Sequence, residues 1–179
     1  AVTDDEHEPQ EAGVAGQEGD VRVYDLNGGK PKVESGVAHL DGVNDPGVLV
    51  AKLLEADDAV LCLDVSADGK LLVSGGCDRL VNVWDLSGGY SKAKLEQSIE
   101  NHADWVFGVA LSPDAKTLLT CSRDKTAKVW DLKAKESVLT FPAHQQPVYG
   151  VAVQADGKAG FSVGDDNQLR AWGTSGDGR

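Results

Sequence analysis

NHADWVFGVALSPDAKTLLTCSRDKTAKVWDL, residues 101–132, decides the fold because two other stretches repeat it in register. They are EADDAVLCLDVSADGKLLVSGGCDRLVNVWDL, residues 55–86, and AHQQPVYGVAVQADGKAGFSVGDDNQLRAWGT, residues 143–174. The three begin at positions 55, 101 and 143, so the period is 46 residues and then 42. Periods of that size indicate a propeller or another repeat array, in which one supersecondary unit is stacked on the next.

Within each unit the apolar positions follow a strand pattern. Val60, Leu63 and Val65, then Val106, Val109 and Leu111, then Val148, Val151 and Val153 mark a first strand. Asp68-Gly69 and Asp156-Gly157 supply hairpin turns, with Asp114-Ala115 a poorer version between them. Second strands follow at 70–74, 116–120 and 158–162, and third strands end at Trp84, Trp130 and Trp172. The Val- and Leu-rich stretches 48–54, 93–99 and 137–141 fit a fourth strand. The expected fold class is therefore all-β, in four-stranded antiparallel sheets.

The Trp84-Asp85 and Trp130-Asp131 dipeptides, with Asn101-His102 and Ala143-His144 upstream, resemble the signatures of the WD-repeat β-propeller family over about residues 14 to 173. That resemblance implies propeller blades of four antiparallel strands. It also implies a hydrogen-bonded set of His, Ser or Thr, Asp and Trp in each blade. The matching sets are His102, Thr120, Asp124 and Trp130, and His144, Ser162, Asp166 and Trp172. In the earlier unit Ser74, Asp78 and Trp84 match, but Ala56 stands at the His position, so that blade should be less tightly tied. Independently of family, an indole N–H, a hydroxyl, an imidazole and a carboxylate buried together satisfy one another and stiffen a small sheet.

A degenerate unit precedes these three. Residues 19–26, GDVRVYDL, read as a third strand with Tyr24 in place of Trp, and Val14 and Glu18 fall at the Ser/Thr and Asp positions. The segment 28–47 is longer than most connections, and loops of that length are functional or disordered. Expected boundaries are an acidic tail at 1–13 and blades near 14–54, 55–100, 101–142 and 143–179. A propeller needs about four to eight blades to close. This chain carries roughly three and a half, an incomplete ring, and lacks Met even at position 1. It reads as a piece of a longer protein, with the remaining blades coming from another chain, another copy or an unseen segment.

Composition narrows the function classes. The formal charge is -12, but seven of the 29 acidic residues lie in the first twenty positions, leaving 22 against 17 basic residues, or -5, for the rest. Such a balance argues against general binding of a phosphate backbone, which needs a clustered basic surface, so no nucleic-acid partner is expected. The longest apolar stretch, 48–54, is interrupted by Lys52 and falls far short of the roughly 20 residues a membrane helix needs, so no membrane partner is expected. Cys62, Cys77 and Cys121 form no CxxC pair or zinc spacing, and they read as buried free thiols suited to a reducing, cytoplasmic compartment.

Two stretches resemble catalytic or metal-binding motifs. Residues 160–164, GFSVG, match the G-x-S-x-G nucleophile elbow, with His144 and Asp166 near in sequence. That elbow requires a strand turning into a helix and an acid preceding the His, whereas here the same constellation recurs at His102, Thr120 and Asp124 without an elbow. His7, His39, His102 and His144 show no metal spacing, and Asp165-Asp166-Asn167 lacks the Gly and distal Glu of a calcium loop. The expectation is no catalytic residue, no metal and no cofactor.

Function should then lie at positions that vary between repeats. By the family resemblance, the loop before the first strand and the loop between the second and third strands open on one face. Trp105, Phe107, Tyr149, Arg79, Arg123 and Lys125 would lie on or near it. Trp105 stands where the other units have Ala59 and Pro147, and Arg123 where they have Cys77 and Asp165. Aromatic residues and Arg make interface anchors, and the cations suit an acidic peptide. The leading expectation is a non-enzymatic protein-interaction scaffold that docks proteins or peptides on this loop face. Two alternatives stand beside it: a propeller enzyme or cofactor-binding propeller, since residues 171–177 resemble quinoprotein repeats, and a passive sensor or spacer module of a bacterial multidomain protein.

Overall fold

The computed structural model describes residues 11–15, 19–25, 33–34, 37–38, 49–89, 92–100, 102–142 and 144–174. Every regular element longer than one residue among them is a strand, as the repeat pattern requires. The second sheet contains β6 (Val60–Val65), β7 (Leu71–Gly76), β8 (Leu80–Asp85) and β9 (Lys94–Glu100), antiparallel and in that order. The third repeats the arrangement with β10 (Val106–Leu111), β11 (Thr117–Ser122), β12 (Ala127–Asp131) and β13 (Glu136–Phe141). The fourth sheet has three strands, β14 (Val148–Val153), β15 (Ala159–Gly164) and β16 (Leu169–Gly173). In the first sheet β1 (Glu11–Ala15) pairs β2 (Asp20–Asp25), which pairs β5 (Leu49–Leu54). A two-residue hairpin, β3 (Val33–Glu34) with β4 (Val37–Ala38), lies in the long connection between β2 and β5. These are propeller blades, and they do not close a ring.

Local chemistry sets the turns. In the second sheet Ser66 Oγ donates to Asp68 Oδ1 at 2.7 Å, while the Leu71 N–H donates to Ser66 Oγ at 2.9 Å. Ser112 and Asp114 repeat the device at 2.7 Å. The residue after each of these aspartates is left-handed, Gly69 at φ 67° but Ala115 at φ 54°, so the Asp-Ala turn carries the steric cost that its neighbour avoids. The aspartate of each Trp-Asp dipeptide caps the turn beyond the third strand. Asp85 Oδ1 accepts from Ser87 N–H at 2.8 Å, and Asp131 Oδ1 from Lys133 N–H at 2.8 Å.

The sheets bury one face each against the next. Val21, Leu53, Val60, Leu72 and Trp84 form the core between the first and second sheets. Val81, Val83, Ile99, Val106, Leu118 and Trp130 form the core between the second and third. Between the third and fourth, Cys121, Ala127 and Val148 are buried, and Trp172 stacks on Phe141 with ring centroids 4.2 Å apart. The approach is close enough to demand glycine at some positions, since a Cβ on Gly75 would lie 2.7 Å from Val106 Cγ1. Side-chain bonds also tie sheets directly: Asp64 Oδ2 accepts the Leu111 N–H at 2.7 Å, and Cys62 Sγ donates to Val106 O at 3.8 Å.

Most of the acidic tail, His7, Glu18, Gly28-Gly29, His39, most of the 28–47 connection, Asn101, Ala143 and residues 175–179 lie outside the described residues. β1 begins at Glu11, inside the 1–13 segment read as tail.

Candidate docking surface

Strand polarity divides the loops between two ends of the blades. The turns β7–β8 and β11–β12 lie beside the segments that enter β6 and β10, because Cys77 N–H bonds Ala59 O at 2.9 Å and Arg123 N–H bonds Trp105 O at 2.9 Å. Asp165 N–H bonds Pro147 O at 2.9 Å in the same way. Antiparallel pairing puts the β6–β7 and β8–β9 connections at the other end, and the β2–β5 connection with its hairpin corresponds to β8–β9.

Beneath the first end lie the hydrogen-bonded sets. In the third sheet His102 Nδ1 is 2.8 Å from Asp124 Oδ2, its Nε2 is 2.8 Å from Thr120 Oγ1, and Trp130 Nε1–H donates to Thr120 Oγ1 at 2.9 Å. Thr120 already holds the indole proton, so its own hydroxyl proton goes to His102 Nε2. The ring then carries its proton on Nδ1 and donates it to Asp124. In the fourth sheet His144 Nδ1 is 3.0 Å from both Asp166 oxygens, its Nε2 is 2.8 Å from Ser162 Oγ, and Trp172 Nε1–H reaches Ser162 Oγ at 2.8 Å. The second sheet has no histidine in its set. Asp57 and Leu80 N–H still bond Asp78, at 3.3 and 3.0 Å, but Trp84 Nε1–H reaches Ser74 Oγ only at 3.5 Å.

These contacts fix the charge state of the carboxylates. Burial works to raise the Asp124 carboxyl, but hydrogen bonds from His102 and Thr126 outweigh it and hold the group well below the usual carboxylate range. Burial likewise opposes ionisation at Asp166, and bonds from His144 and from the Gln145 and Gln168 N–H groups bring it down to about 2. A cation sits near each: half-buried Arg170 places Nη2 3.6 Å from Asp166 Oδ2, and burial pushes the Lys128 ammonium down while Asp124 acts the other way. Lys128 and Arg170 occupy equivalent positions two residues before the tryptophan, and sequence reading had missed both. The signal was available in their alignment with each other.

The Ser162, His144 and Asp166 atoms have the connectivity of a hydrolytic triad. Ser162 is buried, however, and its oxygen accepts the Trp172 indole proton. The same geometry is repeated around Thr120. Of the three thiols read as buried, Cys121 is buried while Cys62 and Cys77 are half-buried; burial pushes Cys62 up to about 12, Cys121 is raised by burial too, and Cys77 is raised by burial and by Asp58 and Asp78.

On the surface of the same end, Trp105 is 40% exposed and Tyr149 is 52% exposed. The Trp105 and Phe107 rings meet edge to face at 6.4 Å, and the Phe107 and Tyr149 rings lie 5.3 Å apart. Phe107 is half-buried and also packs on the cluster around Cys121 and Val148. The Arg123 guanidinium lies 5.1 Å from the Trp105 ring centroid, and its Nε is 3.8 Å from Asp104 Oδ2. Asp104 is itself tied down, since its Oδ1 accepts the Trp105 N–H at 2.8 Å. Thus Trp105, Phe107, Tyr149 and Arg123 form one contiguous patch. Arg79 and Lys125 occupy equivalent left-handed turn positions, φ 70° and 72°, are exposed, and form no ion pair among the described residues.

Antiparallel blades, a Trp-Asp ending on the third strand and a His-hydroxyl-Trp set define a WD-repeat propeller segment. Three segments, residues 47–85, 93–131 and 135–173, match the family model described as WD domain, G-beta repeat, and the chain belongs to that family. It is similar to the Transcription factor unc-37 of Caenorhabditis elegans, with 29% identity over 157 residues, 88% of this chain and 22% of that protein. The chain therefore spans about a fifth of that relative's length. The matched segments are offset from the sheets by one strand. Residues 93–131 contain β9, the outer strand of the second sheet, followed by the first three strands of the third.

Proposed function

We propose that this propeller segment is a non-enzymatic scaffold that docks a protein partner through the end bearing Trp105 and Arg123. The observation that carries the reading is the exposed Trp105 ring with a guanidinium stacked on it and a carboxylate restraining that guanidinium. An exposed indole braced in this way loses little side-chain freedom on binding, and Trp and Arg are the residues most often found at interface hot spots. Family membership supports an interaction role, and burial of the Ser162 oxygen supports the absence of hydrolytic chemistry there. Arg123 and Lys125 suit a partner that presents carboxylates. Nucleic acid and membrane are not part of the reading, and the remaining blades come from another chain, another copy or a further segment. The relative's name makes proteins that act in transcription the first partners to test.

The test is partner capture on the immobilised chain followed by titration of the purified partner. Trp105→Ala and Arg123→Glu should each weaken binding by about 2 kcal/mol or more with the thermal midpoint nearly unchanged. A partner bound by both variants at wild-type affinity refutes the assignment of this end.

A further inference from the structure

The second sheet repeats the frame of a hydrogen-bonded set without its central ring. In the third and fourth sheets a histidine bridges carboxylate and hydroxyl, with Nδ1 2.8 or 3.0 Å from Asp124 or Asp166 and Nε2 2.8 Å from Thr120 or Ser162. Ala56 stands at that position in the second sheet and ends at its methyl group. The backbone beside it is placed as in the other sheets. Asp57 N–H lies 3.3 Å from Asp78 Oδ2, where Ala103 N–H and Gln145 N–H lie 3.0 Å from Asp124 Oδ2 and Asp166 Oδ2. The entering segment therefore does not close over the place that a ring takes in the neighbouring sheets.

The polar groups around that place are short of partners. Asp78 receives two backbone N–H groups and, among the described residues, no side-chain donor. Asp124 by contrast receives His102 and Thr126, and Asp166 receives His144 and lies beside Arg170. Ser74 Oγ accepts the Trp84 N–H at 3.5 Å, and its own proton has no acceptor among the described residues. Asn82, opposite Ser74 in the β7–β8 ladder, is only 3% exposed, and its Oδ1 has no partner. Buried polar atoms left in this state cost free energy that a bound group recovers. Ala56 also packs against the apolar cluster of Val21, Leu53 and Val60, which offers a wall to the face of a ring.

We infer that the second sheet binds a neutral imidazole group in the place filled by His102 and His144 in its neighbours, its N–H donating to Asp78 and its other nitrogen accepting the Ser74 proton. The inference is independent of the docking end proposed above. An ammonium or guanidinium serves Asp78 but gives Ser74 no acceptor. A single metal ion reaches oxygens only about 2.0 to 2.6 Å away, whereas Ser74 and Asp78 hold the register positions that a ring and two hydrogen bonds separate in the other sheets. The group arrives as a free azole or as the histidine side chain of another chain, and the chemistry that recognises it is the same.

The probe is imidazole, titrated into the whole chain at about pH 8, where the ring is neutral, and followed by the thermal midpoint and by amide shifts in β7 and β8. The midpoint should rise saturably, by about 3 to 6 °C at a concentration tenfold above Kd. 1-Methylimidazole, which accepts but does not donate, should bind about tenfold more weakly. Ala56→His should raise the midpoint without ligand and abolish the response, because the tethered ring takes the site. N-acetylhistidine amide separates the sources: affinity like that of imidazole assigns the site to a histidine side chain, and binding of imidazole alone assigns it to a free azole. A response unchanged in Ala56→His puts imidazole elsewhere and overturns the inference. A lowered midpoint in Ala56→His does so too, since the place then does not admit a ring. Equal affinity for imidazole and 1-methylimidazole, or no response to imidazole, has the same consequence.

Discussion

The hydroxyl of Thr120 is the pivot of the best-formed set, because it takes a proton from Trp130 and gives one to His102. Thr120→Val keeps the shape and removes both partners, leaving an indole N–H and an imidazole nitrogen buried and unpaired. The expected loss is about 2 to 5 kcal/mol of stability, read by denaturant titration, and a loss below about 1 kcal/mol would show that the network contributes little. Acid should act on the same sets through their carboxylates. A folded-state carboxyl held below its ordinary value contributes stability that is complete above the unfolded value of about 3.9 and is lost as pH falls through the folded one. For Asp166 that window runs down to about 2. Unfolding followed between about pH 5 and pH 2 should therefore show stability falling with acid, and Asp166→Asn should flatten the dependence. The sets could be read from sequence because their members recur at fixed spacing. The unpartnered Asn82 oxygen could not, since an asparagine in an apolar strand does not announce its burial, and only the folded sheet shows that nothing reaches it.

At the level of the element, the sheets differ in ways that follow from single residues. Lacking a histidine, with a 3.5 Å indole contact and Asn82 in place of the buried cation, the second sheet should exchange its amide protons sooner than the third. Hydrogen exchange showing β7 and β8 better protected than β11 and β12 would contradict this. The β10–β11 turn is the third sheet's own weak point, because Ala115 is held at φ 54°. Ala115→Gly should raise stability by up to about 1 kcal/mol, measured as a shift in the denaturation midpoint. The strand pattern and turn dipeptides were legible because period-two alternation and Asp-Gly pairs act over a few residues. Strand ends fall a residue or two away from where the local pattern puts them: that pattern ends the strand begun at Lys70 at Ser74, whereas β7 spans Leu71–Gly76. There the ladder to β8 and the close packing of Gly75 on Val106 carry the pairing past the last residue that local sequence marks as strand.

For the molecule as a whole, the sequence implied repeated blades but not how the sheets meet, because contacts such as Asp64 with the Leu111 N–H join residues 47 positions apart. The aromatic patch was equally hidden, since Phe107 and Tyr149 become neighbours only when the third and fourth sheets are laid side by side. The one-strand offset between matched segment and sheet, described for residues 93–131, bears on how such a chain can grow. Duplicating that segment in the gene would not append a free-standing sheet beside the old ones. The new copy would lend its leading strand to complete the sheet already present and begin another that awaits its own outer strand. Each junction is thus secured by backbone ladders as well as by side chains. Units can multiply or drop out over evolutionary time while every surviving sheet keeps a strand of the right kind at its edge.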